Sequence, residues 1–297
     1  LLNTNQGLLS GWQGLSIKGG NLDNRDHGTL SSRNGAIDVR LSGALQNNRQ
    51  GAVVSQGRLD VNAASLDNRG AGVLSSGTGQ TLAVTGALVN GDGGLIESGA
   101  ELEVQAATLA NQASITAQQA FTFTGTDLSN NGGSLITNGG LTLDLLGNLN
   151  NSGGKLASTG PLLLKRANQV YNSADGQIVS QSLLTLFTGG LDNSERGTVA
   201  GQQRVAITTA GMVQNHTGGL IYSEGADVQL HAAGLNNAEG SVLGQTGLAL
   251  DIGGEVDNQG GTLASLKGVL EAKLAAGLNN QGGVIQAQGL NLLANRI

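Results

Sequence analysis

Along the whole chain, short runs of alternating apolar and polar residues are separated by clusters of Gly, Asn, Asp and Ser. Alternation with a period of two is strand geometry with one face buried. The pairs Leu15/Ile17, Ile37/Val39, Leu59/Val61, Leu82/Val84, Leu102/Val104, Phe121/Phe123, Leu141/Leu143, Leu184/Leu186 and Leu248/Leu250 read as apolar-x-apolar strands. A shorter strand precedes them in each unit, carrying an aliphatic such as Leu30, Leu74, Ile96, Ile136, Ile178 or Ile285. No stretch sustains helical periodicity over the roughly 10–12 residues that would argue for a helix.

A longer period contains the short one. An aliphatic residue followed two positions later by Asn recurs at Leu1, Leu22, Leu45, Leu66, Leu88, Leu109, Leu128, Leu149, Val170, Leu191, Val213, Leu235, Val256 and Leu278. Successive spacings run from 19 to 23 residues, most of them 21 or 22. The Asn residues are Asn3, Asn24, Asn47, Asn68, Asn90, Asn111, Asn130, Asn151, Asn172, Asn193, Asn215, Asn237, Asn258 and Asn280. A Gly follows three or four positions later in every unit except that of Asn111.

A strand–turn unit of this length cannot bury its own apolar face. Stacked in register, each strand pairs its backbone with the units before and after it. The expected fold is therefore all-β: a right-handed parallel β-helix of about 14 coils with a period near 21 residues, one repeat domain over 1–297. The Asn row is expected to form a structural ladder of stacked side-chain amides. Asn and the following Gly are expected to supply the left-handed backbone of the corner. The deviant unit, Leu109 to Asp127, has 19 residues and reads Asn111-Gln112-Ala113-Ser114-Ile115 where others have the Gly corner. It predicts a tighter corner, compensated by the large core pair Phe121/Phe123. The repeat is in phase from Leu1 to Ile297 with no polar cap, which predicts an internal fragment of a longer array.

Composition sharpens this picture. Gly contributes 50 residues, Pro one and Cys none, and charged residues make up 12%. Without Cys, disulfides, thiolate metal sites and cysteine nucleophiles are excluded. A net charge of −6 with scattered basic residues argues against nucleic acid. No apolar run approaches the roughly 20 residues of a membrane span. No signal-peptide pattern opens the chain, so the signal of a secreted parent is expected upstream of Leu1.

The segments Leu66-Asp67-Asn68-Arg69-Gly70-Ala71-Gly72-Val73-Leu74-Ser75, Leu191-Asp192-Asn193-Ser194-Glu195-Arg196-Gly197-Thr198-Val199-Ala200 and Leu278-Asn279-Asn280-Gln281-Gly282-Gly283-Val284-Ile285-Gln286-Ala287 carry the clearest repeat. This pattern resembles the haemagglutinin repeats of filamentous haemagglutinins and contact-dependent growth inhibition exoproteins, and the resemblance covers the whole chain. It implies export by two-partner secretion from a Gram-negative bacterium. The partner is an outer-membrane transporter that recognises an N-terminal domain lying outside this sequence. It also implies a secreted protein at the cell surface, in which the repeats form a shaft supporting adhesion or toxin delivery. An adhesive segment contacting a target-cell protein or glycan is the alternative.

Enzymes built on β-helices offer a third reading. They need a carboxylate cluster on one outer face. Asp38, Asp60 and Glu103 occupy outward strand positions, with Ala83 assigned to the coil between the last two and Lys18, Arg40 and Arg58 nearby. A solvated, charge-balanced face is the simpler reading, and no catalytic residue is expected. His27, His216 and His231 lie at different phases of the repeat in distant coils, so no metal site and no cofactor are expected. Asn215-His216-Thr217 fits a glycosylation sequon, but Asn215 belongs to the Asn row. Apolar residues at apparently outward positions, Leu145, Leu163, Leu183 and Phe187, join Tyr171 and Tyr222 as a candidate partner surface.

Overall fold

A computed structural model describes residues 1–296. These residues form two compact units, Leu1–Asp144 and Leu145–Ile297. Among the described residues there is no helix, and the strand pairings are parallel.

Each unit is a stack of coils built from three strands apiece. The first face follows the Gly corner. In the first unit it runs from Leu8–Gly11 through Thr29–Ser32, Ala52–Ser55, Val73–Ser76, Leu95–Ser98 and Ser114–Ala117 to Ser134–Thr137. In the second unit it runs from Lys155–Ser158 to Val284–Gln286. The second face carries the apolar-x-apolar strands, for example Ile37–Leu41 and Leu184–Thr188. The third is shorter, for example Ala44–Gln46, and ends at the ladder Asn. In several coils the second and third faces merge into one long strand, as in Leu102–Asn111.

The core is a set of vertical columns, because parallel stacking in register places like on like. Leu30, Val53, Leu74, Ile96, Ile115 and Leu135 form one, all fully buried. Here Leu135 faces inward and Ile136 faces out, half-buried, which corrects the expectation for Ile136 by one position. The apolar residue must fall two positions after the Gly corner, and Gly133 sets that phase. A further column, Ser32, Ser55, Ser76 and Ser98, turns hydroxyls inward where the first face ends. Ser55 Oγ shares its one proton between the Gly35 carbonyl of the preceding coil at 2.9 Å and the Arg58 carbonyl at 3.0 Å. Ser98 does the same with Thr78 and Glu101 at 3.0 and 2.7 Å. These carbonyls also accept backbone N–H groups, so the Ser hydroxyls add a second tie between the turns of successive coils.

One column contains a misfit. Leu59 pairs with Gln80 and Gln80 with Leu102, so the pair in line with Leu59/Val61 and Leu102/Val104 is Gln80/Leu82, not Leu82/Val84. Thr81, not Ala83, therefore lies between Asp60 and Glu103. Gln80 is fully buried, and neither amide atom has a hydrogen-bond partner. A buried unpaired amide costs about 1–3 kcal/mol. Gln80→Leu restores the aliphatic column and is expected to stabilise the fold by about that amount, read as a higher urea midpoint with unchanged slope.

The deviant corner is tight as expected. Ala113 takes the place of the Gly, since Ser114 pairs with Leu95, and two corner residues are missing relative to the coil before. Phe121 and Phe123 are both buried.

Candidate functional site

The most organised polar feature is the Asn row. In the first unit Asn3 Nδ2 donates to Asn24 Oδ1 at 2.7 Å, Asn24 to Asn47 at 2.8 Å, and the series continues through Asn68, Asn90 and Asn111 to Asn130. In the second unit it runs from Asn151 through Asn172, Asn193, Asn215, Asn237 and Asn258 to Asn280. Most of these Nδ2 groups also bond two carbonyls: Asn172 reaches Gly176 O at 3.1 Å and Thr198 O at 2.9 Å. The side chain thus ties its own corner to the first strand of the next coil. Asn215 is fully buried and its Nδ2 is engaged by Gly219, Asn237 and Ser241, so the sequon amide points into the core.

The corner conformation differs from expectation. Neither the ladder Asn nor the recurring Gly has positive φ; the residues between them do. Where Gly lies four positions after Asn there are two such residues, as at Asp26/His27 and Glu195/Arg196. Where it lies three after, there is one, as at Glu239 and Gly260. The recurring Gly answers a close approach instead. A Cβ on Gly197 would lie 2.2 Å from the Asn172 carbonyl oxygen, and one on Gly240 would lie 1.8 Å from that of Asn215.

Outward positions offer the surfaces for partners. Leu145 does not contribute to one: it is 1% exposed. Alternation from Leu141 and Leu143 turns it inward, and Leu146 is the residue that reaches solvent. Leu163 faces out, half-buried, on the second face beside Thr185. Leu183, Phe187 and Tyr171 are exposed by 43%, 44% and 40%. Leu183 and Phe187 border the second face, Tyr171 lies on the third, and half-buried Tyr222 lies on the first. These residues are therefore spread over three faces and make no single patch.

Further along the second face of the same unit is an open groove of about 270 Å³, bordered by Ala206, Thr208, Gln229, His231, Ala249 and Asp251. Small side chains in alternate coils, Ala206 and Ala249 on either side of Gln229, leave it open. His231 Nδ1 sits 3.1 Å from the Asp251 carboxylate, and both side chains are mostly exposed. Among the described residues no group of three or more His, Cys, Asp or Glu side chains could hold a metal ion.

In the first unit Asp38 and Asp60 of the second face are ion-paired, whereas Glu103 lies between Thr81 and Thr122 of the neighbouring coils. Asp38 and Asp60 are register neighbours, Arg40 reaches Asp38 at 3.1 Å, and Arg58 bridges Asp60 and Glu101 at 2.8 and 2.9 Å. On the third face, hydrogen bonds from Arg25 and Arg69 hold the Asp23 and Asp67 carboxyls below their ordinary range. A depressed carboxyl contributes stability above the unfolded-state pKa and loses it as pH falls through the folded value. Because the Arg69 side chain is half exposed, the Asp67 contribution stays below about 1 kcal/mol. Asp67→Asn is expected to lower the urea midpoint slightly at pH 7 and to match the parent once pH has fallen below the carboxylate range.

Sequence comparison agrees with this architecture. The haemagglutinin repeat family model matches residues 1–37, 34–92, 93–153, 157–217, 198–260 and 261–296. No curated protein and no solved structure matches the chain. The matches span nearly every coil described above, and the chain belongs to the haemagglutinin repeat family.

Proposed function

We propose that this chain is a segment of the structural shaft of a large secreted bacterial surface exoprotein. In this reading it projects from a Gram-negative cell to support adhesion or contact-dependent toxin delivery. The carrying observation is where the sequence places its regularity. The most strictly repeated residues, the ladder Asn and the corner Gly, are buried and bind coil to coil. The outward residues vary from coil to coil. Export through an outer-membrane two-partner secretion transporter fits a chain whose strands pair only with those of neighbouring coils, since such a fold can grow coil by coil as it emerges.

An adhesive segment is the second reading, favoured by exposed Leu183 and Phe187 on the face that carries the groove. The test is binding of the fluorescently labelled, folded chain to a panel of Gram-negative bacteria and epithelial cells. Background binding to every cell is the result expected of a shaft. Saturable binding to one cell class, lost on Phe187→Ser with Leu183→Ser, would replace the shaft reading with the adhesive one.

A further inference from the structure

Corners of the stack are held along its axis by bonds from one coil to the next. His27 N–H donates to the Arg49 carbonyl at 3.2 Å, Ala71 to Asp92 at 2.9 Å, Asp175 to Glu195 at 3.0 Å and Arg196 to Thr217 at 3.1 Å. The corner Gly91-Asp92-Gly93-Gly94 donates no such bond. The coil after it turns on Gln112 and Ala113 alone, so no corner residue lies in line with Asp92 and Gly93. Among the described residues neither of their N–H groups has a hydrogen-bond partner. A second tie is missing as well. Asn24, Asn47 and Asn68 each donate to the carbonyl of their own corner Gly at 3.0–3.1 Å. Asn90 Nδ2 is taken up by Asn111 and the Ser114 carbonyl and makes no bond to Gly94. What remains is the bond from Ala71 and one inside the corner, from Gly94 N–H to the Gly91 carbonyl, both at 2.9 Å. Asp92 and Gly93 are exposed, and both are left-handed, at φ 50° and 79°.

We propose that this corner is a cleavage site of the folded chain, open to an endoprotease that selects acidic residues and hydrolyses the Asp92–Gly93 bond. A protease takes its substrate extended, so a corner must first swing out of the stack. In the other corners that opening breaks the axial bonds. Here those bonds are already absent, and Gly91, Gly93 and Gly94 reach the extended form at no steric cost. In the cut, water adds across the peptide bond. Its oxygen joins the Asp92 carbonyl carbon, the C–N bond breaks, and the Gly93 nitrogen takes up a proton and leaves as an amine. The two pieces stay together, because strand pairs join them across the cut. Gln80–Asn90 pairs with Leu102–Asn111, and Val73–Ser76 pairs with Leu95–Ser98. The nicked chain keeps its stack and loses one covalent link.

Digestion of the full folded chain with an endoprotease that cuts after Asp and Glu, followed by intact mass over time, tests this. Asp26, Asp175, Glu195 and Glu239 lie in equivalent corners and are the comparison, because each of those corners donates to the next coil. Cleavage after Asp92 is expected at least about tenfold faster than after any of them, since proteolysis of a folded chain follows the population of its opened form. The pieces 1–92 and 93–297 should co-elute in native size exclusion and separate in urea. Inserting Gly-Ala after Gln112 together with Ala113→Gly copies the corner Arg69-Gly70-Ala71-Gly72 into the next coil. It supplies the missing acceptors and should slow the cut after Asp92 at least about tenfold, in a chain whose circular dichroism matches the parent. The comparison among corners of the parent chain stands whether or not that variant folds. Equal or faster cleavage at another of these corners, pieces that part without denaturant, or a cut that the restored corner of a folded variant does not slow overturns the proposal.

Discussion

Asn193→Ala is expected to destabilise the second unit by about 3–5 kcal/mol, far more than removal of a solvated amide. Asn193 Oδ1 accepts from Asn172 at 2.8 Å, and its Nδ2 donates to Asn215 Oδ1 at 2.7 Å, Gly197 O at 3.0 Å and Leu220 O at 3.1 Å. Truncation removes all four bonds at a fully buried site. It leaves the buried Asn215 Oδ1 without its donor and takes one of two hydrogen bonds from the Gly197 carbonyl, which keeps only the Leu220 N–H. The loss spreads along the row, since each amide is polarised by the one before it. Asn62→Ala is the control: Asn62 is exposed on the second face, and its removal should change stability by less than about 0.5 kcal/mol. Asn193→Asp separates the ladder from simple packing. The replacement has nearly the volume of Asn, yet its second oxygen would face three acceptors in a buried site. Burial and those acceptors favour the protonated form, so the introduced carboxyl titrates above its ordinary range. Stability in this variant is then higher at acid pH and falls as pH rises through the unfolded-state value towards that raised one. Urea midpoints measured by circular dichroism across pH check both the size and the sign. Equal stability of Asn193→Ala and the parent would show that the buried amide row holds no coils together.

Much of the fold is legible in the sequence because a parallel stack repeats one environment. The spacing between Leu22, Leu45 and Leu66 fixes which residues share a column, and Asn24, Asn47 and Asn68 follow as vertical neighbours. Register inside a coil is less legible where the outward and inward positions are equally apolar. Ser134-Leu135-Ile136-Thr137 fits either phase by alternation, and only its distance from Gly133 decides. Leu145 and Leu146 pose the same ambiguity, as neighbouring Leu residues with one inside and one outside. Gln80 misleads for the opposite reason: a polar residue holds a core position, so alternation points to an apolar pair two residues later. Contacts that span coils leave the weakest trace. The Ser column shows only as a recurring Leu-x-Ser, and nothing in its spacing says that Ser55 reaches back to Gly35.

The corner Gly is the position where conformational reasoning and packing predict different outcomes, and packing is expected to prevail. A left-handed glycine is ordinarily the one that tolerates no side chain. Here Gly260 has φ +63°, yet a Cβ there would come no closer than 3.7 Å to the flexible Glu239 side chain. Glu239 itself occupies the equivalent corner position of the previous coil at φ 58°. Gly260→Ala should therefore cost only about 1–2 kcal/mol, the penalty of a left-handed residue. Gly240 has no such φ, but its Cβ would lie 1.8 Å from the Asn215 carbonyl and 2.8 Å from Asn237 Oδ1. Neither obstacle can rotate away. The carbonyl belongs to the coil below, and the amide is held by the ladder. Relief requires the coils to separate at the corner, which stretches the Asn215–Asn237 bond and the strand pairing beside it. Gly240→Ala is expected to cost about 3 kcal/mol or more, exceeding Gly260→Ala. Amide hydrogen exchange localises the damage: Gly240→Ala should lose protection in the strands on both sides of that corner, Gly234–Asn236 and Ser241–Gly244, while Gly260→Ala leaves its flanking strands protected. If Gly260→Ala proved the more damaging, backbone conformation rather than coil-to-coil contact would be what fixes Gly in this repeat.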